Sequence, residues 1–477
     1  MTGVVERKRA THKRAQADQH LSRADRIALG KDRRAETPLE SHAEFAPAAS
    51  RDPVGLLIGQ AATRVPELVP IRHGRMSVSP FSFFRGAALP MAADLSVTPA
   101  SGFRTQICGD AHLSNFGAFA SPSRRLVFDV NDFDETLPGP FEWDLKRLAA
   151  SFSVACRESG FSAKVRHRVG VAVAESYRTT MRDFAHQSLM DVWYAHLDVD
   201  RSVGRFMADI TPKRRKRMKT ILAAARNRDS MQALDKLTTM VDGQREIISD
   251  PPTIVPIEAV ESDRDSGEIY HVLREVFGAY RRTLSSNRAY LIDQFTLERV
   301  ARKVVGVGSV GTRAWIVLMS DGEYPLFLQA KEAEVSVLAD YCGHSEYANH
   351  GERVVAGQLL MQAESDIFLG WTRTNDRVRG QHDYYIRQLR DWKFSLPVEQ
   401  MRAPGMAAYA RLCGWTLARA HARAGDRVGM AAYLGGSARF DHAIADFAES
   451  YAEQNERDYA AFREAVRSGR IEAIDGV

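Results

Sequence analysis

Between Gly109 and Asp134 the chain reads GDAHLSNFGAFASPSRRLVFDVNDFD, which sets Asp110, His112, Asn115, Asp129, Asp132 and Asp134 within 25 positions. Carboxylates crowded in this way repel one another unless a cation or a proton lies among them. The stretches RTQIC, FGAFA and RLVFDV, the last two joined by the turn SPSR, alternate as strands do, so residues 104–135 are expected to form a β-hairpin. A fold that accepts this segment has to put acidic groups at the ends of short strands, where a ligand can reach them.

The spacing Asp110-x4-Asn115 at a strand–loop junction is that of a phosphoryl-transfer loop. In such loops the Asp accepts the proton of a substrate hydroxyl and the Asn oxygen binds Mg²⁺. Asp132, at the end of the next strand, supplies a second hard oxygen towards a metal that also binds nucleotide phosphates. Asp129 competes for that role, and Asp134 is either a turn residue or a further ligand. Asp110 and His112 also form the D-x-H pair that opens dinuclear metallophosphoesterase sites. The later ligands of that class are not recognisable, however; YANHGER, residues 347–353, comes nearest and lacks the preceding Gly.

The second half supplies a complementary set. VGVGSVGTR holds Gly306, Gly308, Ser309 and Gly311 between two apparent strands. A dinucleotide-binding reading would need a helix next, whereas the apolar, β-branched TRAWIVLM follows. Strand, glycine loop and strand together make a flap over phosphates. Lys331 ends the apolar strand LFLQAKEA and can reach the same phosphates as a point charge. Such a lysine needs a carboxylate to hold it. Glu352 on the following helix is the candidate, with Glu346 and Glu332 as alternatives. Arg387 and Arg390 either face phosphates or pair with surface acids.

At 477 residues the chain has room for two or three lobes, and 44% apolar with 26% charged residues is ordinary globular composition. A net charge of +5 gives no reason to expect nucleic acid as a partner. Cys108, Cys156, Cys342 and Cys413 form no metal-ligand pattern and suit a reduced cytoplasm. No apolar run approaches the roughly 20 residues of a membrane helix. Residues 6–36 carry ten Lys/Arg against five Asp/Glu and no apolar core of a signal peptide. We expect a basic, flexible lead-in over 1–44, a helix-rich lobe with the acidic hairpin over 45–285, a β-rich nucleotide-binding lobe over 286–392, and C-terminal helices returning to the large lobe over 393–477.

Taken together, these segments resemble the protein-kinase/aminoglycoside-phosphotransferase superfamily in circularly permuted order. GDAHLSNFG is similar to that group's H-G-D-x-H-x-x-N loop, with Cys108 in place of the usual His. NDFDETLPGPFEWDL is similar to its metal segment, and the 12 residues from Asp132 to Asp144 favour Asp132 over Asp129. Asp144 then reads as a structural carboxylate at a helix start, and His421 as a structural residue at a helix end. More closely, RHGRMSVSPFSFFRGAA, CGDAHLSNFG, KVVGVGSVGTR, LQAKEA and YAEQNERDYAAF resemble the bacterial family called domain of unknown function 2252. The resemblance implies a two-lobed, permuted kinase-like α+β fold that binds ATP and Mg²⁺ and transfers phosphate to a hydroxyl-bearing small molecule or protein. Asp110, Lys331 and Glu352 would be catalytic. Gly306, Gly308, Ser309 and Gly311 would hold the nucleotide with Lys331, and Asn115 and Asp132 would hold the metal. A nucleotide-binding regulator without transfer, or an adenylyl transferase, is the alternative. Arg85, in SPFSFFRGAA, is either a substrate or phosphate ligand or part of a packed turn.

Overall fold

The structure is a computed structural model that describes residues 21–199, 201, 230–242, 244–376, 380–389, 392 and 396–476. Arg390 therefore lies outside the described residues, as does the most basic part of the N-terminal segment.

The chain is mixed α+β. Its largest core gathers helices α1 (Arg23–Glu36), α2 (Phe141–Glu158), α3 (Ala163–Ala185), α5 (Ala403–Ala424), α6 (Arg427–Leu434) and α7 (Arg439–Arg467). Every residue of α2 from Phe141 to Cys156 is buried, charged ones included. A helix buried on all sides is a core element, and its charged side chains persist there because each is partnered. Glu142 accepts from the Ser101 amide at 2.9 Å, and Lys146 Nζ donates to Thr98 Oγ1 at 3.1 Å.

Helix α1 begins at a capping box between Ser22 and Asp25, and Arg34 Nε donates to the Tyr433 carbonyl at 2.6 Å. From Arg23 onwards the segment expected to be flexible is instead a capped helix lying against α6. Its small Gly30 permits that approach, since a Cβ there would meet the Gly429 carbonyl at 2.4 Å.

The acidic segment folds as two ladders rather than one hairpin. Strand β1 (Arg104–Ile107) pairs antiparallel with β4 (Leu137–Pro140), while β2 (Phe116–Ala120) pairs with β3 (Leu126–Val130) and β3 with β5 (Leu197–Asp198). The loop between β1 and β2 and the loop between β3 and β4 therefore leave the same end of this region. A short hairpin, β6 (Thr238–Val241) with β7 (Gln244–Ile247), precedes the second lobe's sheet.

That sheet has six strands in the order β12-β13-β11-β10-β9-β8, all neighbours antiparallel. The strands are β8 (Ile254–Pro256), β9 (Thr296–Lys303), β10 (Ala314–Ser320), β11 (Pro325–Glu332), β12 (Gly370–Asp376) and β13 (Gly380–Gln388). Alternate residues of β10 face opposite cores. Val317 and Met319 pack with Ile269, Tyr280 and Ile292 of the helices Ser266–Arg281 and Ser286–Ile292. Ile316 and Leu318 pack with Ala233, Leu234 and Leu237 of the helix Ser230–Leu237. Each face of the sheet thus carries a helix that precedes residue 286, Ser266–Arg281 on one and Ser230–Leu237 on the other. The β-rich unit accordingly begins near residue 230, because those amphipathic helices have their apolar faces on the sheet. Helix α4 (His350–Met361) links the two halves, packing on β12 and β13 on one side and on α5 on the other. Among the described residues no helix is long and apolar enough to cross a membrane.

Candidate active site

Two adjoining cavities lie where the acidic loops meet the sheet. One, on the sheet side, has a volume of ≈ 400 Å³ and is lined by Asp132, Lys331, Arg387 and the hairpin residues Phe119–Ser121. The other, on the helix side, is ≈ 440 Å³ and is lined by Asp110, Asn115, Asp134, Gly308 and Arg85. Asp132, Gly306 and Ser309 line both. Residues 221 positions apart, Asp110 and Lys331, thereby face one continuous cleft.

The floor is the loop after β1. Asp144, in the first turn of α2, accepts from the backbone amides of Cys108 and Gly109 at 2.8 and 2.9 Å. His421 Nε2 lies 3.2 Å from Asp144 on its other side, and His421 Nδ1 is 2.8 Å from the Tyr177 hydroxyl. Both Asp144 and His421 are structural residues of the site: they fix the loop's backbone from beneath. Gly109 takes φ +79°, which a side chain would strain, and a Cβ there would press on the Glu135 carbonyl at 2.6 Å. Asp110 Oδ1 accepts from Arg147 Nε at 2.5 Å, and Asp110 Oδ2 lies 3.8 Å from His112 Nε2. Asn115 Nδ2 donates to the Asp110 carbonyl at 2.8 Å, which leaves the amide oxygen as the group available to a cation. Burial pushes His112 down to about 3, the Asp110 charge opposing this and Arg85 and Arg147 adding to it, so the imidazole is neutral.

The roof is the glycine loop between β9 and β10. Gly306 and Gly311 have φ +70° and +94°. The loop is tied to the large lobe: Arg75 Nη1, on the helix Val69–Met76, donates to the Gly306 carbonyl at 2.6 Å, and from the link before that helix the Val65 amide donates to the Gly311 carbonyl at 2.8 Å and Arg64 donates to the Val310 carbonyl.

Lys331 is 3% exposed, and its Nζ lies 2.5 Å from Asp134 Oδ2. Asp134 Oδ1 accepts from the Tyr385 hydroxyl at 2.6 Å. Burial works against the lysine's charge, but Asp132 and Asp134 outweigh it and hold the pKa above the ordinary lysine value. The expected partner Glu352 is not brought to Lys331: no described hydrogen bond or ion pair joins them. Asn349 caps α4 by accepting from the Glu352 amide at 3.0 Å, and this phase leaves Glu352 half-buried while it buries Arg353. Arg353 donates instead to the carbonyls of Thr136, Asp134 and Glu334. Glu332 is likewise committed, to Arg313 and His382. The carboxylate beside Lys331 is thus Asp134, which the sequence placed in the acidic cluster without a partner.

Asp129 does not face the cleft. It is buried in an ion pair with Arg419 of α5. Arg387 lies under the sheet-side cavity, where its guanidinium donates to Gln329 Oε1 and to the Asn131 carbonyl.

A family model described as an uncharacterized protein conserved in bacteria (DUF2252) matches residues 64–465. The chain belongs to the DUF2252 family. No curated protein and no solved structure matches it. The DUF2252 span contains the whole of the sheet-side cavity and all of the helix-side cavity except Gly59, Gln60 and Thr63, and it excludes helix α1.

Chemically the cleft offers hard oxygens at Asn115 and Asp132, a carboxylate at Asp110, and a cation at Lys331. Among the described residues no three His, Cys, Asp or Glu side chains surround a common metal position. A cation held here would need oxygens from a ligand as well, which is how Mg²⁺ is bound beside phosphates. Glu135, on the same wall, gives a pH signature. Burial pushes its carboxyl up from 4.5 to about 7, with the Val337 amide at 2.8 Å opposing. An acid raised in the fold stabilises it fully below the unfolded value, and that contribution is lost as pH rises towards 7. Glu135→Gln should therefore gain on the wild type by about 3 kcal/mol across this window, read from urea denaturation on either side of it. A difference that does not change with pH would show that Glu135 titrates alike in the folded and unfolded chain.

Proposed function

We propose that this chain is an ATP- and Mg²⁺-dependent phosphotransferase with a permuted kinase-like arrangement, acting on a hydroxyl-bearing acceptor. The observation that carries the reading is the shared cleft: the glycine loop and Lys331 on one side, Asp110, Asn115 and Asp132 on the other. The order of parts in the second lobe supports it too, since glycine hairpin, lysine strand and helix follow one another as in kinases.

In this reading ATP lies in the sheet-side cavity with its phosphates under Gly306–Gly311. Lys331 leaves or shares its contact with Asp134 to bind them. Asn115 and Asp132 would hold Mg²⁺, which neutralises phosphate charge beside the carboxylates. Asp110 receives the proton of the acceptor hydroxyl in the helix-side cavity, Arg147 fixing its orientation through Oδ1. Glu352 has no part in holding Lys331, and Asp134 takes that role.

The test is thermal unfolding with ATP, with and without Mg²⁺. A ligand at 100 times its Kd stabilises the folded state by about 2.7 kcal/mol, so the wild type should melt several degrees higher with ATP–Mg²⁺. Asp132→Ala should lose the Mg²⁺-dependent part, and Lys331→Ala most of the response. No shift in the wild type at millimolar ATP–Mg²⁺ would overturn the proposal. Label from γ-phosphate, rather than α-phosphate, should then appear in an acceptor.

A further inference from the structure

Three arginines line the helix-side cavity with no ion pair described for any of them: Arg64, Arg72 and Arg85. Arg72 is fully buried. Its Nη2 donates to Gln60 Oε1 and to the Gly86 carbonyl, while Nε and Nη1 have no partner. Arg64 spends one nitrogen on the Val310 carbonyl, and its buried Nε has no partner. Arg85 makes no described hydrogen bond at all, although its Nε is buried.

The acids nearby act on these arginines only across a distance, Asp110 and Glu399 on Arg85 and Glu334, Glu135, Asp134 and Glu332 on Arg64, and none is described in an ion pair with them. Asp110 is paired with Arg147, Asp134 with Lys331, and Glu332 with Arg313. Glu135 accepts from the Val337 amide at 2.8 Å. Glu334 lies within electrostatic range of Arg64 and Arg72 without forming a pair with either. A buried guanidinium without a counter-charge is unfavourable unless something brings one. Position adds to this. The Arg85 side chain lines the same cavity as Asp110 and His112 and lies within electrostatic range of both, and its backbone carbonyl would be 3.2 Å from a Cβ on Gly308. Arg85 therefore sits at the junction between the glycine loop and the proposed base.

We infer that the helix-side cavity binds a small molecule bearing an oxyanion, a phosphate or a carboxylate, with Arg85 as its principal ligand and Arg64 and Arg72 as supporting positive charge. On the phosphotransferase reading, on which this last step rests, that molecule is the acceptor: its oxyanion lies on Arg85 and its hydroxyl faces Asp110. A guanidinium suits both kinds of oxyanion because its fork matches two oxygens. At ≈ 440 Å³ the cavity has the volume of a small-molecule site.

Inorganic phosphate and malonate are the probes, titrated without nucleotide into the full chain at constant ionic strength, with binding read by calorimetry and by melting temperature. The wild type should respond in the millimolar range to at least one of them, and the one that binds names the acceptor's oxyanion. Arg85→Gln should weaken that binding at least tenfold, and Arg85→Lys should restore part of it. Without anions, Arg85→Gln should melt no lower than the wild type, since no described hydrogen bond or ion pair is lost. The inference is overturned if neither anion binds, if Arg85→Gln binds as the wild type does, or if its ion-free form melts several degrees lower, which would make Arg85 a packing residue. Anion binding that needs Arg85, without any ATP–Mg²⁺ response, would sink the phosphotransferase reading and leave the oxyanion site standing. ATP–Mg²⁺ binding without an anion response would do the reverse.

Discussion

Asp110→Asn is expected to lower phosphoryl transfer by roughly 10²–10⁴-fold, the usual contribution of a positioned general base, while the ATP–Mg²⁺ melting shift persists. The asparagine keeps the shape of the side chain and can still accept from Arg147 Nε, so the loop backbone, fixed by Asp144, should not move. What is lost is the carboxylate that takes the proton. Arg147 would keep its place over the Phe84 ring at 4.5 Å and its bond to the Phe84 carbonyl, but its 3% exposed charge would lack a counter-ion. A fall in stability is therefore expected as well, on the order of 1–3 kcal/mol, and rates should be compared well below the melting temperature. Undiminished transfer by Asp110→Asn would remove Asp110 from the proposed mechanism.

The largest stability effect is expected at Asp129→Leu. Arg419 is 1% and Asp129 6% exposed in side chain, and the pair ties strand β3 to helix α5. Removing one partner leaves a guanidinium buried and uncompensated, at a cost of about 3–5 kcal/mol. Arg419 also donates to the Met361 carbonyl at the end of α4, so the loss should be felt where the two halves join. The double replacement Asp129→Leu with Arg419→Met should recover most of the stability, because an apolar pair of similar volume is often neutral in place of a buried ion pair. Urea denaturation of the two variants would check this. The double variant should also keep the Mg²⁺-dependent ATP response that Asp132→Ala loses. A single variant costing less than about 1 kcal/mol would show that the pair is as weak as a surface one.

The strands β2, β3, β9, β10 and β11 were legible in the sequence as short runs rich in apolar and β-branched residues, bounded by turns. The lysine at the end of β11 and the glycines before β10 followed from the same pattern. Glu352 was misplaced because helix phase, not helix presence, decides which side chain faces the cleft, and the Asn349 cap sets that phase one residue away. Asp134 could not be chosen over its neighbours, since its partners Lys331 and Tyr385 come from strands about 200 and 250 positions downstream. The pairing of β1 with β4 skips a hairpin, and local alternation carries no information on which strand is the neighbour. Arg64 and Arg72 gave no signal, because a buried arginine looks like a surface one until its surroundings are known. The chain's membership of DUF2252 was readable from short motifs alone.

The tethers from Arg64, Val65 and Arg75 have a mechanical consequence. They strap the glycine turn to the opposite lobe, and the helix Val69–Met76 that bears Arg75 is itself pinned by the Ile474 amide, which donates to the Pro70 carbonyl at 2.9 Å. The turn cannot swing as a free hinge: widening the gap between the lobes must stretch or release those straps, and strain in the last few residues is transmitted to the canopy above the cleft.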